Sequence, residues 1–327
     1  MMAASAPIYP PLLDRLPVSH GELRAAAPLA KATWLRVGGS AEVLFRPSDL
    51  DDLMAFLKAK PADVPLTVLG AGTNVLIRDG GVEGVIVRLG KSFTQVQVDG
   101  EQIIAGGAAM DVNIARAAAA ADITGLEFLS GVPGTLGGAI RMNAGAYGRE
   151  LSDVIVSAEV IDPCGERRVL ETSKLGLTYR GCNIPEGWIF VSAVLRGHKD
   201  RPAVIKAKMA SIQAARVGSQ PIRSKTGGST FTNPTEPDAA GAKAWQLNDQ
   251  AGCRGLRRGG AMVSNLHCNF LINNGAATAT DLESLGEEVR RRVAETSGIV
   301  LRWEIQRIGR HTQGLATRDL LDEGDSS

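Results

Sequence analysis

The sequence predicts an α+β or mixed α/β fold. Short stretches that alternate apolar and polar residues recur along the chain, and a smaller number of segments have helical spacing. The 327 residues show no internal repeat and are enough for two or three domains with sizeable cores. Hydrophobic residues make up 44% of the chain and charged residues 22%, which is typical of ordinary globular proteins.

The first half of the chain predicts short strands and two helices, after an N-terminal leader over residues 1–30. Residues 48–60 have the spacing of an amphipathic helix, with Ser48 as the candidate N-cap. The other predicted elements are strands from 31 to 47, two strands flanking a glycine turn in 65–77, short strands between 84 and 107, and an alanine-rich helix over 110–121.

The second half begins with a hairpin around residues 163–165. An amphipathic helix over 203–217 precedes a polar segment rich in Gly and Pro, so we expect a domain boundary near that helix. The remaining predicted elements are a strand in 188–197, a short helix in 244–252, a strand in 269–274, a long helix over 281–297, a final strand over 301–309 and a mobile tail over 310–327.

Charge and cysteine usage exclude several classes of protein. Lys and Arg total 36 and Asp and Glu total 35, so a net charge of +1 creates no global field for nucleic acid or an anionic membrane. The four cysteines form no CxxC pair, and no HExxH motif occurs, so we expect free thiols and no metal site. With no signal peptide and no apolar run long enough to span a bilayer, we expect a cytoplasmic protein. We also expect a monomer, although nothing in the sequence itself sets the oligomeric state.

The most informative segment is 131–148, which contains six glycines and one proline. Glycine reaches φ > 0 freely and lets a ligand approach the main chain. Successive bare N–H groups form a concave surface for anions such as a diphosphate. We interpret the segment as backbone that contacts a ligand rather than as a series of tight turns.

Two familiar nucleotide motifs are incomplete. The Gly70-Ala71-Gly72 turn begins like a dinucleotide fingerprint, but Val75 replaces the third glycine and a strand follows instead of a helix. Residues 84–92 resemble a Walker A motif, but five residues instead of four separate Gly84 from Gly90. A standard Rossmann or P-loop site is therefore disfavoured.

Three polar islands complete the set of candidate functional segments: residues 179–181, 227–234 and 301–309. In the last of these, Glu304 lies between Trp303 and Ile305, and strand alternation would place it on the opposite face from both.

With these segments in view, the chain resembles the UDP-N-acetylenolpyruvoylglucosamine reductase (MurB) family, the FAD-dependent enzymes of peptidoglycan synthesis. Each matching segment alone is weak, but seven in the family's order are highly specific, and they span roughly residues 31–309. The seven are TWLRVGG, VLGAGTNVLI, GVPGTLGGAIRMNAGAYG, YRG, GGSTFTNP, GLRRGGAMVSNLHCNFLINN and WEIQRIG.

The resemblance implies an FAD-binding fold of the vanillyl-alcohol-oxidase (PCMH) type. Its two subdomains would span residues 31–90 and 91–202, and a C-terminal α/β substrate-binding domain would span 203–309. The implied reaction is ping-pong: NADPH reduces FAD and leaves, and the enolpyruvyl sugar nucleotide then binds. Hydride passes from flavin N5 to C3 of the enolpyruvyl group, and protonation at C2 gives UDP-N-acetylmuramate.

The resemblance also implies three catalytic residues. Arg180 matches the arginine that stabilises the developing enolate, Ser229 matches the proton donor to C2, and Glu304 matches the glutamate that assists the enolic intermediate.

Binding residues carry over in the same way. The implied FAD contacts are Gly70, Ala71, Gly72, Thr73, Asn74, Gly131, Pro133, Gly134, Gly137, Gly138, Asn143 and Gly145. The implied substrate contacts are Tyr147 and Asn233, with Arg223 and Lys225 as weaker candidates for the diphosphate or carboxylate.

The chain departs from the family pattern at three places. Thr232 replaces a lysine, and Gln306 stands where many relatives have an arginine. No tyrosine occurs between Arg180 and Ser229, so the chain resembles the branch that lacks the tyrosine-bearing substrate loop. Two alternatives stay open: another flavin oxidoreductase of the same fold, or a non-catalytic nucleotide-binding protein.

Overall fold

The computed structural model describes residues 11–235 and 241–312, which form an α+β architecture. Within these residues the α-helices are α1 Leu12–Arg15, α2 Leu50–Ala59, α3 Asp111–Ala120, α4 Leu136–Arg141, α5 Thr172–Leu175, α6 Pro202–Ser219, α7 Ala244–Gln250 and α8 Ala279–Ser297. Four short 3-10 helices lie at Ala30–Ala32, Lys91–Phe93, Glu127–Gly131 and Leu151–Asp153.

Nineteen strands lie in the same described ranges. They are β1 Glu22–Pro28, β2 Ser40–Arg46, β3 Leu66–Val68, β4 Val75–Ile77, β5 Val82–Val87, β6 Val96–Asp99, β7 Gln102–Gly106, β8 Ile123–Thr124, β9 Gly145–Ala146, β10 Arg149–Glu150, β11 Ile155–Ile161, β12 Arg167–Glu171, β13 Ile189–Arg196, β14 His198–Lys199, β15 Lys225–Ser229, β16 Arg257–Arg258, β17 Ala261–Val263, β18 Phe270–Asn273 and β19 Gln306–Ile308.

The first sheet has the strand order β1-β2-β5-β3. β1 is antiparallel to β2, whereas β2 and β3 are both parallel to β5. Helix α2 covers one face through Phe56, whose ring stacks on that of Phe45 with centroids 4.0 Å apart. Both rings are fully buried, so this pair anchors the core between helix and sheet.

Two predictions for this region are wrong. The N-terminal leader is not separate from the domains, because β1 is a paired strand of the first sheet; its run of alanines, 25–27, gave no strand-like pattern. The N-cap of α2 is Asp49, whose carboxylate accepts a hydrogen bond from the Asp52 N–H. The Ser48 hydroxyl is buried and has no hydrogen-bond partner among the described residues.

The second sheet is antiparallel, with the order β12-β11-β13-β7-β6. The predicted hairpin around residues 163–165 is confirmed, since β11 and β12 pair from Ile161 and Arg167 outwards. Helices α3 and α4 pack against this sheet through buried residues such as Ile114 and Ile140. The glycine segment therefore lies between this sheet and the first one.

The third sheet, β15-β18-β17-β16, packs against the long helix α8. Its core includes Leu35, Val37 and Leu76 from the first part of the chain. Strand β19 also pairs in parallel with β4. The C-terminal part of the chain is thus joined to the first sheet region by a shared core and by main-chain pairing.

The predicted final strand is shorter than expected. Only Gln306–Ile308 is strand, and Glu304 lies before it, because the N–H groups of Glu304 and Ile305 both bond to the Thr230 carbonyl, at 2.8 and 3.4 Å, instead of continuing the pairing with β4. The expected facing is nevertheless seen. Trp303 and Ile305 pack into the α8 core, whereas Glu304 contacts Arg180.

Two further expectations concern the ends and surface of the chain. Of the predicted tail 310–327, residues 313–327 lie outside the described residues, as do residues 1–10. None of the helices in the described ranges combines the length and the apolar character that crossing a bilayer requires.

Gly286 tests the packing that holds the segment around Glu304. A Cβ built at Gly286 would lie 2.1 Å from Trp303 Cη2. Helix propensity alone favours alanine over glycine by about 1 kcal/mol. We expect Gly286→Ala instead to destabilise the protein by about 1–3 kcal/mol, because the indole must move. The thermal unfolding midpoint measures this.

Gly218→Ala is the matched control, because Gly218 lies in α6 and its Cβ would meet no atom within 4 Å. This variant is expected to keep or slightly raise the midpoint. An unchanged or raised midpoint for Gly286→Ala would show that Trp303 is free to move.

Candidate active site

A cavity of about 520 Å³ lies between the first and second sheets; we call it the glycine cavity. Of the sequence-predicted cofactor residues, Gly70, Ala71, Gly137 and Gly138 line it. Its other walls come from the ends of β3 and β5, the β7–α3 connection and the loop before β13. They are residues 66–69, 88–90, Thr94, 107–108, Met110, Thr135, Arg141, 186–188, Phe190 and Ile308.

The glycines of this cavity serve two purposes. A Cβ at Gly107 would lie 2.0 Å from the Phe190 carbonyl oxygen, so glycine there allows two main chains to touch. A Cβ at Gly138 would meet nothing nearer than Thr135 Oγ1 at 3.8 Å, so a side chain at that position would project into the cavity. Bare backbone at Gly138 therefore leaves room for a ligand.

The turn at residues 70–74 is held by protein contacts as well. Gly72 has φ +66°, and a Cβ there would lie 2.3 Å from the Ala32 carbonyl oxygen. The Thr73 hydroxyl donates a hydrogen bond of 3.1 Å to the Pro133 carbonyl, which docks the turn onto the glycine segment. Gly72 and Thr73 therefore shape the turn that Gly70 and Ala71 present to the cavity.

Other residues of the glycine segment contact protein rather than line the cavity. A Cβ at Gly131 would meet the Tyr147 ring at 2.5 Å, and one at Gly145 would meet the Arg149 carbonyl oxygen at 2.8 Å. Asn143 is fully buried, with Nδ2 donating to the Thr178 carbonyl and Oδ1 accepting from the Ser152 N–H. The side-chain amide of Asn143 is thus engaged with protein on both sides.

Asp111, at the start of α3, is a residue that sequence reasoning missed. Its side chain is fully buried, and neither carboxyl oxygen has a hydrogen-bond partner among the described residues. Oδ2 lies 3.3 Å from where a Cβ of Gly134 would be, and Thr73 Oγ1 lies 3.5 Å from the same point. Burial raises the pKa of the Asp111 carboxyl well above its ordinary value.

Two of the predicted catalytic residues, Arg180 and Glu304, contact each other. Arg180 Nε lies 3.2 Å from Glu304 Oε1, and Arg180 Nη2 donates to the Gly145 carbonyl. Arg180 has φ +57°, a left-handed conformation that is uncommon for a non-glycine residue and that marks functional sites more often than chance. The contact joins the predicted second subdomain to the C-terminal domain.

Glu304 is held in a mostly buried setting, with 18% of its side chain exposed. Burial raises the pKa of its carboxyl above the ordinary value, while the Arg180 guanidinium opposes this shift. A buried carboxyl whose pKa is raised, beside a cation, is typical of functional sites.

Ser229 is linked to the Glu304 segment through the next residue in the chain. It ends β15 after an irregularity in the pairing between Thr226 and Ser229, where Gly228 has φ +83°. The next residue, Thr230, accepts the main-chain hydrogen bond from Glu304 at 2.8 Å. Ser229 is therefore one residue from the main-chain contact of Glu304, at an irregularity of the kind that often redirects a side chain.

A second cavity, of about 440 Å³, adjoins Arg180. Asn233 lines it, as do Thr232 and Gln306, the two positions that depart from the family pattern. Tyr147, Arg223 and Lys225 do not line it, and all three are exposed or partly exposed. Pro133 lies in neither cavity wall and accepts the Thr73 hydrogen bond.

In the part of the chain that the structure describes, no group of three His, Cys, Asp or Glu side chains could hold a metal ion. The four cysteines, which all lie within it, are free thiols.

The fold and the two cavities are typical of one class of FAD-binding protein. Residues 41–171 match the family model described as an FAD binding domain, and residues 220–308 match the C-terminal domain of UDP-N-acetylenolpyruvoylglucosamine reductase. The architecture is the vanillyl-alcohol-oxidase (PCMH) type of FAD-binding fold followed by a C-terminal α/β domain. The glycine cavity fits FAD in chemistry, since it offers bare backbone at Gly138 and a guanidinium at Arg88.

Whole-chain relatives then identify the family. The chain is 54% identical to the UDP-N-acetylenolpyruvoylglucosamine reductase of Rhodospirillum rubrum, covering 97% of this chain and 98% of the relative. It is 56% identical to that of Parvibaculum lavamentivorans, covering 94% and 97%. The crystal structure of the reductase from Thermus caldophilus is 33% identical, with a TM-score of 0.76 over 89% of this chain and 100% of that one. The chain belongs to the UDP-N-acetylenolpyruvoylglucosamine reductase family.

Asp111 gives a pH-dependent prediction. An acid whose folded pKa is raised destabilises the folded state once pH exceeds its unfolded pKa, and the penalty grows until pH passes the folded pKa. We expect the isosteric change Asp111→Asn to raise the unfolding free energy of the FAD-free protein by about 1–3 kcal/mol, and by more at about pH 8 than at about pH 5. The thermal unfolding midpoint at the two pH values measures this.

Asp162→Asn is the control, and its expected effect on stability has the opposite sign. Burial acts to raise the Asp162 pKa, but hydrogen bonds from the Glu166 N–H and Arg168 outweigh it and lower that pKa. This variant should lose stability. A lower midpoint for Asp111→Asn at both pH values would show that the Asp111 carboxylate has a stabilising partner.

Proposed function

We propose that this protein is an FAD-dependent reductase that uses NADPH to convert UDP-N-acetylenolpyruvoylglucosamine to UDP-N-acetylmuramate in peptidoglycan precursor synthesis. Family membership over nearly the whole chain supports the activity, and the match of residues 41–171 to an FAD binding domain supports the cofactor. The observation that carries the proposal is the Arg180–Glu304 contact of 3.2 Å, and it is supported by the main-chain bond of Glu304 to Thr230, the residue after Ser229.

The chain's own residues would hold FAD mainly in the glycine cavity. Gly70, Ala71, Gly137 and Gly138 line that cavity, and Gly72 and Thr73 shape the turn that carries the first two. When bound, FAD supplies the hydride chemistry by accepting hydride from NADPH and delivering it to substrate, in two separate half-reactions.

The proposed catalytic residues stabilise the charge that develops on the substrate and supply the proton that it takes up. Hydride addition at C3 of the enolpyruvyl group leaves negative charge on C2 and the adjoining carboxylate. The Arg180 guanidinium stabilises that charge, because a fixed cation in a partly buried site needs no reorganisation. Ser229 Oγ delivers a proton to C2, and the Glu304 carboxyl assists the enolic intermediate.

Substrate recognition is assigned to Tyr147, Asn233, Arg223 and Lys225. Asn233 has the strongest support, because it lines the second cavity next to Arg180. The other three lie outside both cavities, so a role for them requires the nucleotide part of the substrate to extend beyond the second cavity. We further propose a cytoplasmic monomer, in keeping with a small sugar-nucleotide substrate and a net charge of +1.

The direct test uses purified protein. It should be yellow with bound FAD, and it should oxidise NADPH at a sustained rate only when UDP-N-acetylenolpyruvoylglucosamine is added. Ser229→Ala should leave flavin reduction by NADPH unchanged while slowing flavin reoxidation by the sugar nucleotide by about 10²–10³-fold, since aligned donors carry that much of the rate. Stopped-flow absorbance separates the two half-reactions.

Ser219→Ala, at the exposed end of α6, serves as the control and should behave as wild type. Colourless protein that FAD cannot reconstitute would end the proposal. An equal loss of rate in both half-reactions of Ser229→Ala would contradict the assignment of Ser229 as the proton donor.

A further inference from the structure

Asn74 lies in the turn between β3 and β4. Its side-chain amide nitrogen is directed at protein atoms rather than at the glycine cavity. Its Nδ2 donates to the Glu304 carbonyl oxygen at 2.9 Å and lies 2.8 Å from Met142 Sδ. Asn74 is absent from the walls of both cavities. An amide nitrogen carries two hydrogens, so both are directed at protein acceptors, and only Oδ1 is left for any ligand.

The main chain of Asn74 adds a second tie to the same segment. Its carbonyl oxygen accepts a hydrogen bond of 3.1 Å from the Gln306 N–H, where β19 begins. The Glu304 N–H is bonded to the Thr230 carbonyl on the other side. With the weaker Ile305 N–H bond to the same Thr230 carbonyl, four hydrogen bonds hold the backbone of residues 304–306, two of them made by Asn74.

The Glu304 carboxyl has fewer restraints than its backbone. Its described partner is Arg180, at 3.2 Å in a partly exposed setting. Because the hydrogen-bonded backbone positions the side chain, displacement of the Glu304 peptide would move the carboxyl relative to Arg180. A misplacement of about 1 Å can cost about 10²-fold in rate.

We propose that Asn74 is a positioning residue for Glu304, joining the turn that borders the cofactor cavity to the catalytic carboxyl supplied by the C-terminal domain. This inference rests on the proposed function, which assigns Glu304 to the reaction with the sugar nucleotide. It differs from the sequence expectation that Asn74 contacts FAD. A cofactor ligand would affect FAD binding and both half-reactions, whereas a positioning residue for Glu304 affects the second half-reaction.

The test uses Asn74→Ala and Asn74→Asp in the full-length FAD-loaded protein. We expect flavin reduction by NADPH to stay within about threefold of wild type, and flavin reoxidation by UDP-N-acetylenolpyruvoylglucosamine to slow by about 10²-fold in both variants. FAD affinity, measured by flavin fluorescence, should change little. Asn74→Asp places an acceptor and a negative charge opposite the Glu304 carbonyl.

A second readout does not depend on turnover. The added charge in Asn74→Asp should raise the pKa of Glu304, followed by NMR of the protein labelled with carbon-13 at glutamate side chains. The Glu304→Gln variant identifies the resonance. An unchanged Glu304 pKa in Asn74→Asp would overturn the inference.

Asn273 provides a matched control. It is a buried asparagine whose Nδ2 donates to the Leu35 carbonyl at 2.9 Å, the same kind of bond at a position away from Glu304. Asn273→Ala and Asn273→Asp should leave the ratio of the two half-reaction rates and the Glu304 pKa as in wild type.

The outcomes separate the two proposals. Wild-type protein that binds FAD but never reacts with the sugar nucleotide contradicts the proposed function. Wild-type turnover together with Asn74 variants that weaken FAD binding, or that slow both half-reactions equally, contradicts the positioning role alone.

Discussion

The peptide of Glu304 is the point at which three distant parts of the chain meet. Its N–H bonds to Thr230, and its carbonyl accepts from Asn74, a residue 230 positions earlier. Its side chain contacts Arg180 in the loop after α5. These bonds hold the short irregular segment between Trp303 and β19, which carries Glu304, next to Arg180 and to Thr230, the residue after Ser229.

The setting of this peptide is rigid because the C-terminal domain is not a detached unit. Its core takes in Leu35 and Leu76 from the first part of the chain. Asp79 accepts hydrogen bonds from the first two N–H groups of α8, at 3.0 and 2.9 Å, and the adjacent Arg78 pairs with the buried Glu283 at 2.8 Å. A buried ion pair gives little net stability but penalises any arrangement that separates its members. The wall of the site that carries Glu304 is thus fixed to the cofactor-binding region before any ligand binds.

The sequence predicted the fold to the extent that local patterns decide it. The hairpin around residues 163–165, the long helix α8 and the strands flanking the glycine turn are set by alternation, spacing and turn residues, and all were found. The alanine-rich strand β1 was missed because its small side chains carry no pattern. The family motifs predicted the approach of Arg180 to Glu304. They did not predict that Asn74 bonds to Glu304, or that Asp111 is buried with no hydrogen-bond partner in residues 11–235 and 241–312, because both depend on segments brought together only by tertiary packing.

We propose that a flavin bound in the glycine cavity has its reactive ring against Arg180, Ser229 and Glu304. A crystal structure of the protein with FAD and UDP-N-acetylenolpyruvoylglucosamine tests this most directly. We expect the enolpyruvyl group to lie between flavin N5 and the Ser229 hydroxyl, with its carboxylate on the Arg180 guanidinium. We also expect the Glu304 peptide to remain bonded to Asn74. A flavin ring directed away from these three residues, or a substrate bound outside their reach, would contradict it.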